Sequence, residues 1–179
     1  QAEAYLNKAV ATAPAATAVR VELARFFEQM GNYQKAETEY KEAVDASPEN
    51  GNLLRHLGGF YFRRDDFDKA KKTFLKMEDL APDEVGPKQT LASFYASQRD
   101  WEQALDWLHK ARDLKPDDLE IQNTIASLYM KMGKGEEARK IIDTILAQDE
   151  SNIGARFLKA RLLLGADKVT ESRELLEGV

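Results

Sequence analysis

Small and large apolar residues recur along the chain at a fixed spacing of 34 residues. A small residue is followed four positions later by a large apolar or aromatic one, and three positions after that by another apolar residue in every copy. The small residues are Ala2, Ala36, Ala70, Ala104, Ala138 and Ser172, and the large ones are Leu6, Tyr40, Phe74, Leu108, Ile142 and Leu176. These spacings place the residues on one face of an α-helix. The pattern therefore predicts six copies of one amphipathic helix.

A second apolar pattern precedes each of these helices and predicts a partner helix. It consists of an apolar residue, a small residue and an aromatic one turn later, as in Leu23, Ala24 and Phe27. Between the two helices, Gly31 favours the left-handed conformation that ends a helix. Asp65 and Arg99 stand at the same point of later copies, so we expect them to adopt that conformation at some cost. Prolines that cannot continue a helix follow the second helices, at Pro14, Pro48, Pro82 and Pro116.

These positions together resemble the tetratricopeptide repeat family, whose unit is a helix-turn-helix of 34 residues. The resemblance covers essentially the whole chain. It implies an all-α fold, a right-handed superhelical solenoid of antiparallel helix pairs, in a single domain over residues 1–179. Residues 1–16 would be the second helix of a partial repeat, 17–50, 51–84, 85–118 and 119–152 complete repeats, and 153–179 another partial repeat. We therefore expect a fragment of a longer array of bacterial type.

Composition limits the classes of partner and chemistry. The formal net charge of -5 argues against nucleic acid, because proteins that bind it usually carry a basic face. The absence of cysteine excludes disulfides, thiolate catalysis and cysteine metal sites, and leaves the compartment open between the cytoplasm and a bacterial periplasm or cell envelope. No run approaches the roughly 18 apolar residues of a membrane span, so no membrane insertion of this chain is predicted.

No catalytic, cofactor or metal site is predicted from the sequence. His56 and His109 fall on different kinds of helix and are not expected to share a metal ion. The segment 133–135 lacks the spacing of a phosphate-binding loop and is interpreted as the turn between two helices. Trp107 lies off the main apolar stripe, where a partly exposed ring could anchor a partner.

The resemblance implies that partners bind on the concave surface lined by the first helix of each repeat. Amides and hydroxyls there can bond a peptide backbone, arginines can hold a carboxylate, and an apolar end can take a hydrophobic anchor. The alternative is that these side chains are simply solvated. The predicted groove residues are Arg25, Arg55, His56, Arg63, Gln89, Thr90, Ser93, Asn123, Thr124, Ser127, Phe157, Leu158 and Arg161. The lysine and asparagine pattern by which chaperone cofactors grip a terminal carboxylate is not reproduced, so chaperone tails are not predicted as ligands.

The sequence thus predicts a non-catalytic protein–protein interaction scaffold that binds an extended peptide or protein segment. Two alternatives stay open. One is a structural or assembly subunit of a bacterial envelope export or polysaccharide system, and the other is an interaction domain of a larger enzyme. Apolar residues of the last helix, Leu175, Leu176 and Val179, also predict a concentration-dependent homodimer.

Overall fold

A computed structural model describes residues 2–12 and 16–177. The predicted positions Pro14 and Val179 lie outside these residues, as does the side chain of Ala2. The described residues form eleven α-helices and no strand. The helices are α1 (Ala2–Thr12), α2 (Thr17–Gln29), α3 (Tyr33–Ala46), α4 (Gly51–Arg63), α5 (Phe67–Leu80), α6 (Val85–Ser97), α7 (Trp101–Leu114), α8 (Leu119–Lys131), α9 (Gly135–Gln148), α10 (Ile153–Gly165) and α11 (Val169–Glu177). The predicted all-α solenoid of helix pairs is confirmed.

Side-chain caps fix where most helices begin. In six of the described helices an asparagine or aspartate just before the first turn accepts a hydrogen bond from a backbone N–H of that turn, which would otherwise have no partner. The capping residues are Asn32, Asn50, Asp66, Asp100, Asp118 and Asn152. Helices α2, α6 and α9 begin without a side-chain cap. Caps at repeated positions therefore set the helix starts one repeat length apart.

The turn inside each helix pair has a residue in the left-handed conformation. Gly31 and Gly133 both have φ 75°, while Asp65 and Arg99 have φ 57° and 60°. In each turn the residue that follows donates its N–H to a carbonyl near the end of the first helix, as Asn32 does to Phe27 at 2.8 Å. This bond pattern satisfies the last carbonyls of the helix. The expected conformation of Asp65 and Arg99 is confirmed.

The contacts divide the chain into two compact units, residues 1–83 (unit 1) and 84–179 (unit 2). In unit 1, successive helices from α1 to α5 pack against one another. The core contains the predicted small residues Ala36 and Ala70 and the large residues Tyr40 and Phe74, all buried. Gly58 of α4 lies directly under the Phe74 ring, because a Cβ atom there would come within 2.5 Å of it. Close approach at this glycine therefore positions α4 against α5.

In unit 2, α6 pairs with α7, α8 with α9, and α10 with α11, while α10 also packs on α8 and α9. Ala104, Ala138 and Ser172 occupy the buried small position, as predicted. The hydroxyl of Ser172 donates a hydrogen bond to the Ala160 carbonyl at 3.0 Å, which satisfies it inside the core. The same packing rule therefore holds in both units.

Candidate functional site

Unit 1 contains a polar cleft between α2 and α4, with α3 beneath it. Its volume is about 450 Å³. The lining residues are Arg25, Glu28, Gln29, Tyr40, His56 and Arg63. Three of these, Arg25, His56 and Arg63, were predicted as groove residues from the sequence. We call this site the unit 1 cleft.

The single carboxylate that lines the unit 1 cleft is already neutralised. The Arg63 guanidinium donates to both oxygens of Glu28, with Nε 2.7 Å from Oε1 and Nη2 2.9 Å from Oε2. The Tyr40 hydroxyl donates a further bond to Glu28 Oε2 at 3.3 Å. Hydrogen bonding to Arg63 is the main reason that the pKa of Glu28 lies below its ordinary value. Arg63, expected to be available for a ligand carboxylate, is thus paired within the protein.

The other cationic groups at the unit 1 cleft have weaker internal partners. Arg25 Nη1 lies 2.7 Å from Glu22 Oε1, but these side chains are 45% and 58% exposed, so the pair contributes little. Arg55 is exposed next to His56, and among the described residues we find no ion pair or hydrogen bond for it. Burial, with the positive charges of Arg25, Arg55 and Arg63, lowers the pKa of His56 below its ordinary value. The local potential at the cleft is therefore positive.

Unit 2 contains a larger groove between α6 and α8, with Leu108 of α7 beneath it. Its volume is about 570 Å³. Amide, hydroxyl and charged side chains form the sides, namely Gln89, Ser93, Ser97, Glu120, Thr124, Ser127 and Lys131. Ala92, Ala96, Leu108 and Leu128 supply apolar surface. We call this site the unit 2 groove.

The two sites are built at the same positions of the repeat. Every residue that lines the unit 1 cleft has a counterpart exactly two repeat lengths later that lines the unit 2 groove. In chain order the counterparts are Ser93, Ala96, Ser97, Leu108, Thr124 and Lys131. The fold therefore forms a concavity at the same repeat positions in each unit, and the two concavities differ in the side chains that line them.

The structure brings together some of the predicted groove residues of unit 2 and not others. Gln89, Ser93, Thr124 and Ser127 line the unit 2 groove. Asn123 does not line it.

Asn123 instead contacts the start of α10. Its Nδ2 donates to Asn152 Oδ1 at 2.9 Å, and that same oxygen accepts the capping bond from the Ala155 N–H. Gly154 allows this approach, because a Cβ atom there would meet Asn123 Nδ2 at 2.8 Å. Asn123 is therefore a structural residue of the α8–α10 contact.

Thr90 is only partly exposed and lies outside the residues that line the unit 2 groove. Its hydroxyl donates to the Gly86 carbonyl at 2.9 Å within α6. A threonine hydroxyl that bonds the preceding turn of its own helix is a common local arrangement. Thr90 therefore contributes to the helix rather than to the groove wall.

The expectation that Leu158 lines a binding surface was wrong. It is 6% exposed and packs in a cluster with residues of α8 and α9, among them Ala126 and Ile142. The neighbouring residue Lys159 explains why Leu158 is buried. Lys159 occupies the position where other repeats have an apolar signature residue, and its Nζ extends to Asp143 Oδ1 at 2.9 Å. Leu158 fills the core in its place.

Phe157 and Arg161 are exposed on α10, as the sequence suggested. Phe157 is 54% exposed and lies one turn from Arg161. Trp107, in contrast, is 9% exposed and is not a surface anchor. Lys110 Nζ lies 3.8 Å from the centre of its ring and covers it. A long aliphatic side chain with a cation over the ring thus shields a tryptophan that lies off the apolar stripe.

Sequence reasoning missed several lining residues. Glu28 and Tyr40 were not predicted for the unit 1 cleft, nor Glu120 for the unit 2 groove. Tyr40 was assigned to packing only, yet it packs with its ring and reaches Glu28 with its hydroxyl. The available signal was the repeat itself, because the position of Glu28 is one turn after the predicted groove residue Arg25.

Residues 2–12 and 16–177 contain no group of histidine, aspartate and glutamate side chains arranged to hold a metal ion. Over those same ranges, no helix combines the length and apolarity needed to cross a membrane.

Comparison with known sequences identifies the family. A sequence profile described as "Tetratricopeptide repeat" matches residues 29–93 and 95–153, which together are more than half of the chain. A second profile with the same description matches residues 1–51. No curated protein matches the chain.

Solved structures show the same fold at low sequence identity. The chain is similar to YrrB, described as a TPR protein with an unusual peptide-binding site, with 16% identity, a TM-score of 0.61, and coverage of 96% of this chain and 89% of that one. It is also similar to pilF of Pseudomonas aeruginosa, with 21% identity and a TM-score of 0.69 over 98% of this chain and 80% of that one. The likeness to yeast Tom70 has 18% identity and a TM-score of 0.73, and covers 98% of this chain and 38% of that one.

Tetratricopeptide proteins are generally non-catalytic interaction modules, and their fold supports a scaffold for protein–protein interaction. The profile matches, the helix pairs and the repeated concave sites agree on one assignment. This chain belongs to the tetratricopeptide repeat family.

Proposed function

We propose that the chain is a scaffold that binds an extended peptide segment of a protein partner in the unit 2 groove. The observation that carries this proposal is the groove itself, a concavity of about 570 Å³ with polar sides and apolar surface at its base. This volume lies within the range of typical ligand sites, roughly 300–1,000 Å³.

The side chains of the unit 2 groove suit a peptide backbone. An extended peptide presents N–H and C=O groups in both directions, and these need donors and acceptors when water is displaced. The Gln89 amide and the Ser93 and Ser127 hydroxyls can each do both. Leu108 and Leu128 offer apolar surface for one small side chain of the peptide.

The likeness to YrrB supports the same proposal, since that protein is described as having a peptide-binding site and this chain covers 89% of it. The two alternatives from the sequence, an envelope assembly subunit and an interaction domain of a larger enzyme, stay predictions, as does the homodimer. Peptide binding is compatible with each of them.

The proposal is tested with a displayed library of short linear random peptides selected on the chain. Binding of an enriched peptide is then measured by fluorescence anisotropy. Ser93→Arg with Ser127→Arg fills the groove without touching its core, and we expect affinity to fall at least about tenfold, which is about 1.4 kcal/mol.

Gln103→Arg on α7 is the matched control, because Gln103 is exposed and does not line the groove. Its affinity should equal that of the parent chain, and circular dichroism should show all three proteins equally folded. The proposal is overturned if no peptide is enriched, or if the groove variant binds as well as the control.

A further inference from the structure

We propose that the unit 1 cleft is a second, separate binding site that takes the side chains of an acidic peptide segment. This inference goes beyond the unit 2 groove and does not depend on it, because all residues involved belong to unit 1. The ligand class is set by the charges at the cleft.

The charges at the unit 1 cleft leave an excess of positive groups. Glu28 is matched by Arg63, and Glu22 by Arg25, so the charge of Arg55 is left over. His56 adds a group that becomes positive when it binds a proton. An excess of positive charge in a concave site attracts anions and increases their local concentration.

Two of these positive groups can form new bonds, because Arg25 lines the cleft and Arg55, outside the lining itself, lies beside the lining residue His56 on α4. Arg55 is exposed on α4, and no bond to another described residue has to be broken to use it. Arg25 can exchange its exposed partner Glu22 at small cost, because exposed ion pairs one turn apart on a helix contribute little to stability. Guanidinium groups bind carboxylates through two parallel hydrogen bonds, which gives geometric selectivity as well as attraction.

The Glu28–Arg63 pair holds one side of the cleft in place, and the ligand binds to other residues of the cleft without breaking this pair. Both guanidinium contacts and the Tyr40 hydroxyl hold Glu28 in place. A ligand carboxylate can therefore bind to Arg25, Arg55 and His56, while the paired side chains of Glu28 and Arg63 stay in place. The whole chain has a formal charge of -5, so general attraction cannot explain binding of an acidic peptide.

The probe is a labelled peptide with an Asp-Glu-Asp core between glycine and serine residues and an amidated C-terminus. Its matched partner has Asn-Gln-Asn as the core. We expect the acidic peptide to bind at least about fivefold more tightly, a factor equivalent to one or two exposed charge pairs. Equal affinity for the two peptides would overturn the inference.

Variants locate the site. Arg55→Glu should weaken binding of the acidic peptide about tenfold, because it replaces attraction with repulsion. Lys76→Glu makes the same change of net charge at an exposed position of α5 outside the cleft and should leave the affinity unchanged. An equal loss in both variants would show a general charge effect and contradict the cleft. Arg55→Lys, which keeps the charge, should recover part of the affinity.

The pH dependence gives a readout that a purely structural role would not alter. His56 faces Arg25 and Glu22 on α2 and Arg55 and Arg63 on its own helix, and Glu28 and Tyr40 line the same cleft. A bound carboxylate favours protonated His56, so affinity should rise as the pH falls from neutral to about 5.5. His56→Gln should remove this rise, and a rise that persists in the variant would contradict the role of His56.

Two further controls separate this site from others. The unit 2 variant with Ser93→Arg and Ser127→Arg should bind the acidic peptide normally, so failure of the proposed function and failure of this inference are distinguishable. Loss of acidic binding in that variant alone would move the site to unit 2 and overturn the inference. A requirement for a free C-terminal carboxylate on the probe would also overturn it, since the cleft is assigned to side chains within a segment.

Discussion

The unit 1 cleft and the unit 2 groove occupy the same repeat positions and differ in what fills them. Where unit 1 has Arg25, Glu28 and Tyr40, unit 2 has the smaller residues Ser93, Ala96 and Leu108. The volumes follow, at about 450 Å³ in unit 1 and about 570 Å³ in unit 2. The repeated packing positions thus fix where a concavity forms, while the lining positions are free to set its size and charge.

The packing of one helix pair in unit 1, α4 with α5, also differs from that of α6 with α7 in unit 2, and exchanging it is the strongest way to break the comparison. Unit 1 combines Gly58 with the bulky Phe74, whereas unit 2 combines Ala92 with Leu108 at the same positions. Gly58→Ala would place a Cβ atom 2.5 Å from the Phe74 ring. We expect the free energy of unfolding to fall by about 1–2 kcal/mol, since the strain exceeds the gain in helix propensity. Urea denaturation followed by circular dichroism measures it.

Two further variants make this test specific. Gly58→Ala combined with Phe74→Leu reproduces the unit 2 pair and should cost less than the sum of the two single changes. Gly59→Ala, on the same helix, meets only the flexible end of Arg63 at 3.3 Å and should be neutral or stabilising by up to about 1 kcal/mol. The packing explanation fails if the substitutions at positions 58 and 59 have the same effect.

The turns provide a comparison inside each unit, because unit 1 has Gly31 and Asp65 in the left-handed position and unit 2 has Arg99, Gly133 and Asp167. Asp65→Gly and Arg99→Gly should each stabilise the protein by about 0.5–1 kcal/mol, as the relief of strain exceeds the entropy that glycine loses. Gly133→Arg should destabilise it by a similar amount, although no atom lies within 4 Å of the added Cβ. Thermal unfolding of the variants decides this, and a stabilising Gly133→Arg would refute it.

The smallest expected effect concerns the carboxylate of Glu28, because the matching position in unit 2 is Ala96. The pKa of Glu28 is lowered from its ordinary value of 4.5 in the folded chain, so Glu28 stabilises the fold at any pH above 4.5. This stabilisation is lost as the pH falls through the lower pKa of the folded state. Glu28→Gln removes the contribution. The difference in stability from the parent chain should be below about 1 kcal/mol at neutral pH, because the Arg63 side chain is 54% exposed, and should vanish in acid.

Urea denaturation of the parent and the Glu28→Gln variant at several pH values tests this. Ala96 occupies the matching position in unit 2, so Ala96→Gln serves as a control whose effect should not vary with pH. A difference at position 28 that grows in acid would have the wrong sign for a lowered pKa.

The sequence predicted the helix pairs, the left-handed turns and the buried small residues, because each depends on local conformation or on a spacing repeated many times. Asp65 and Arg99 were assigned their conformation by alignment with Gly31 alone. Leu158 was predicted to line a binding surface, and a partly exposed Trp107 was considered as an anchor, but both side chains are buried. Lys110 covers the Trp107 ring, and Leu158 packs in the core while Lys159 beside it reaches Asp143; no periodicity specifies the direction of these long lysine side chains.

The candidate sites were only partly predictable for the same reason. The family resemblance indicated that partners bind on the first helices, and the repeat spacing then pointed to Arg25, His56, Ser93 and Ser127, which line the two sites. The spacing could not show that Arg63 is occupied by Glu28, since that pair joins two helices across 35 residues of sequence. Contacts between side chains of different repeats depend on distances that each pair of helices sets for itself.

The start of α9 has a consequence for how the protein opens. Within a repeat, α3, α5 and α7 each follow a residue whose side chain holds the first turn, but α9 begins at Gly135 after Lys134, which makes no such bond, and Gly133 lies just before. A first turn whose N–H groups lack a cap separates from its helix at lower cost than a capped one. Brief local unfolding therefore begins more readily at α9 than at α3, α5 or α7, and exposes the α8–α9 turn to hydrogen exchange and to proteases before the turns that precede those helices.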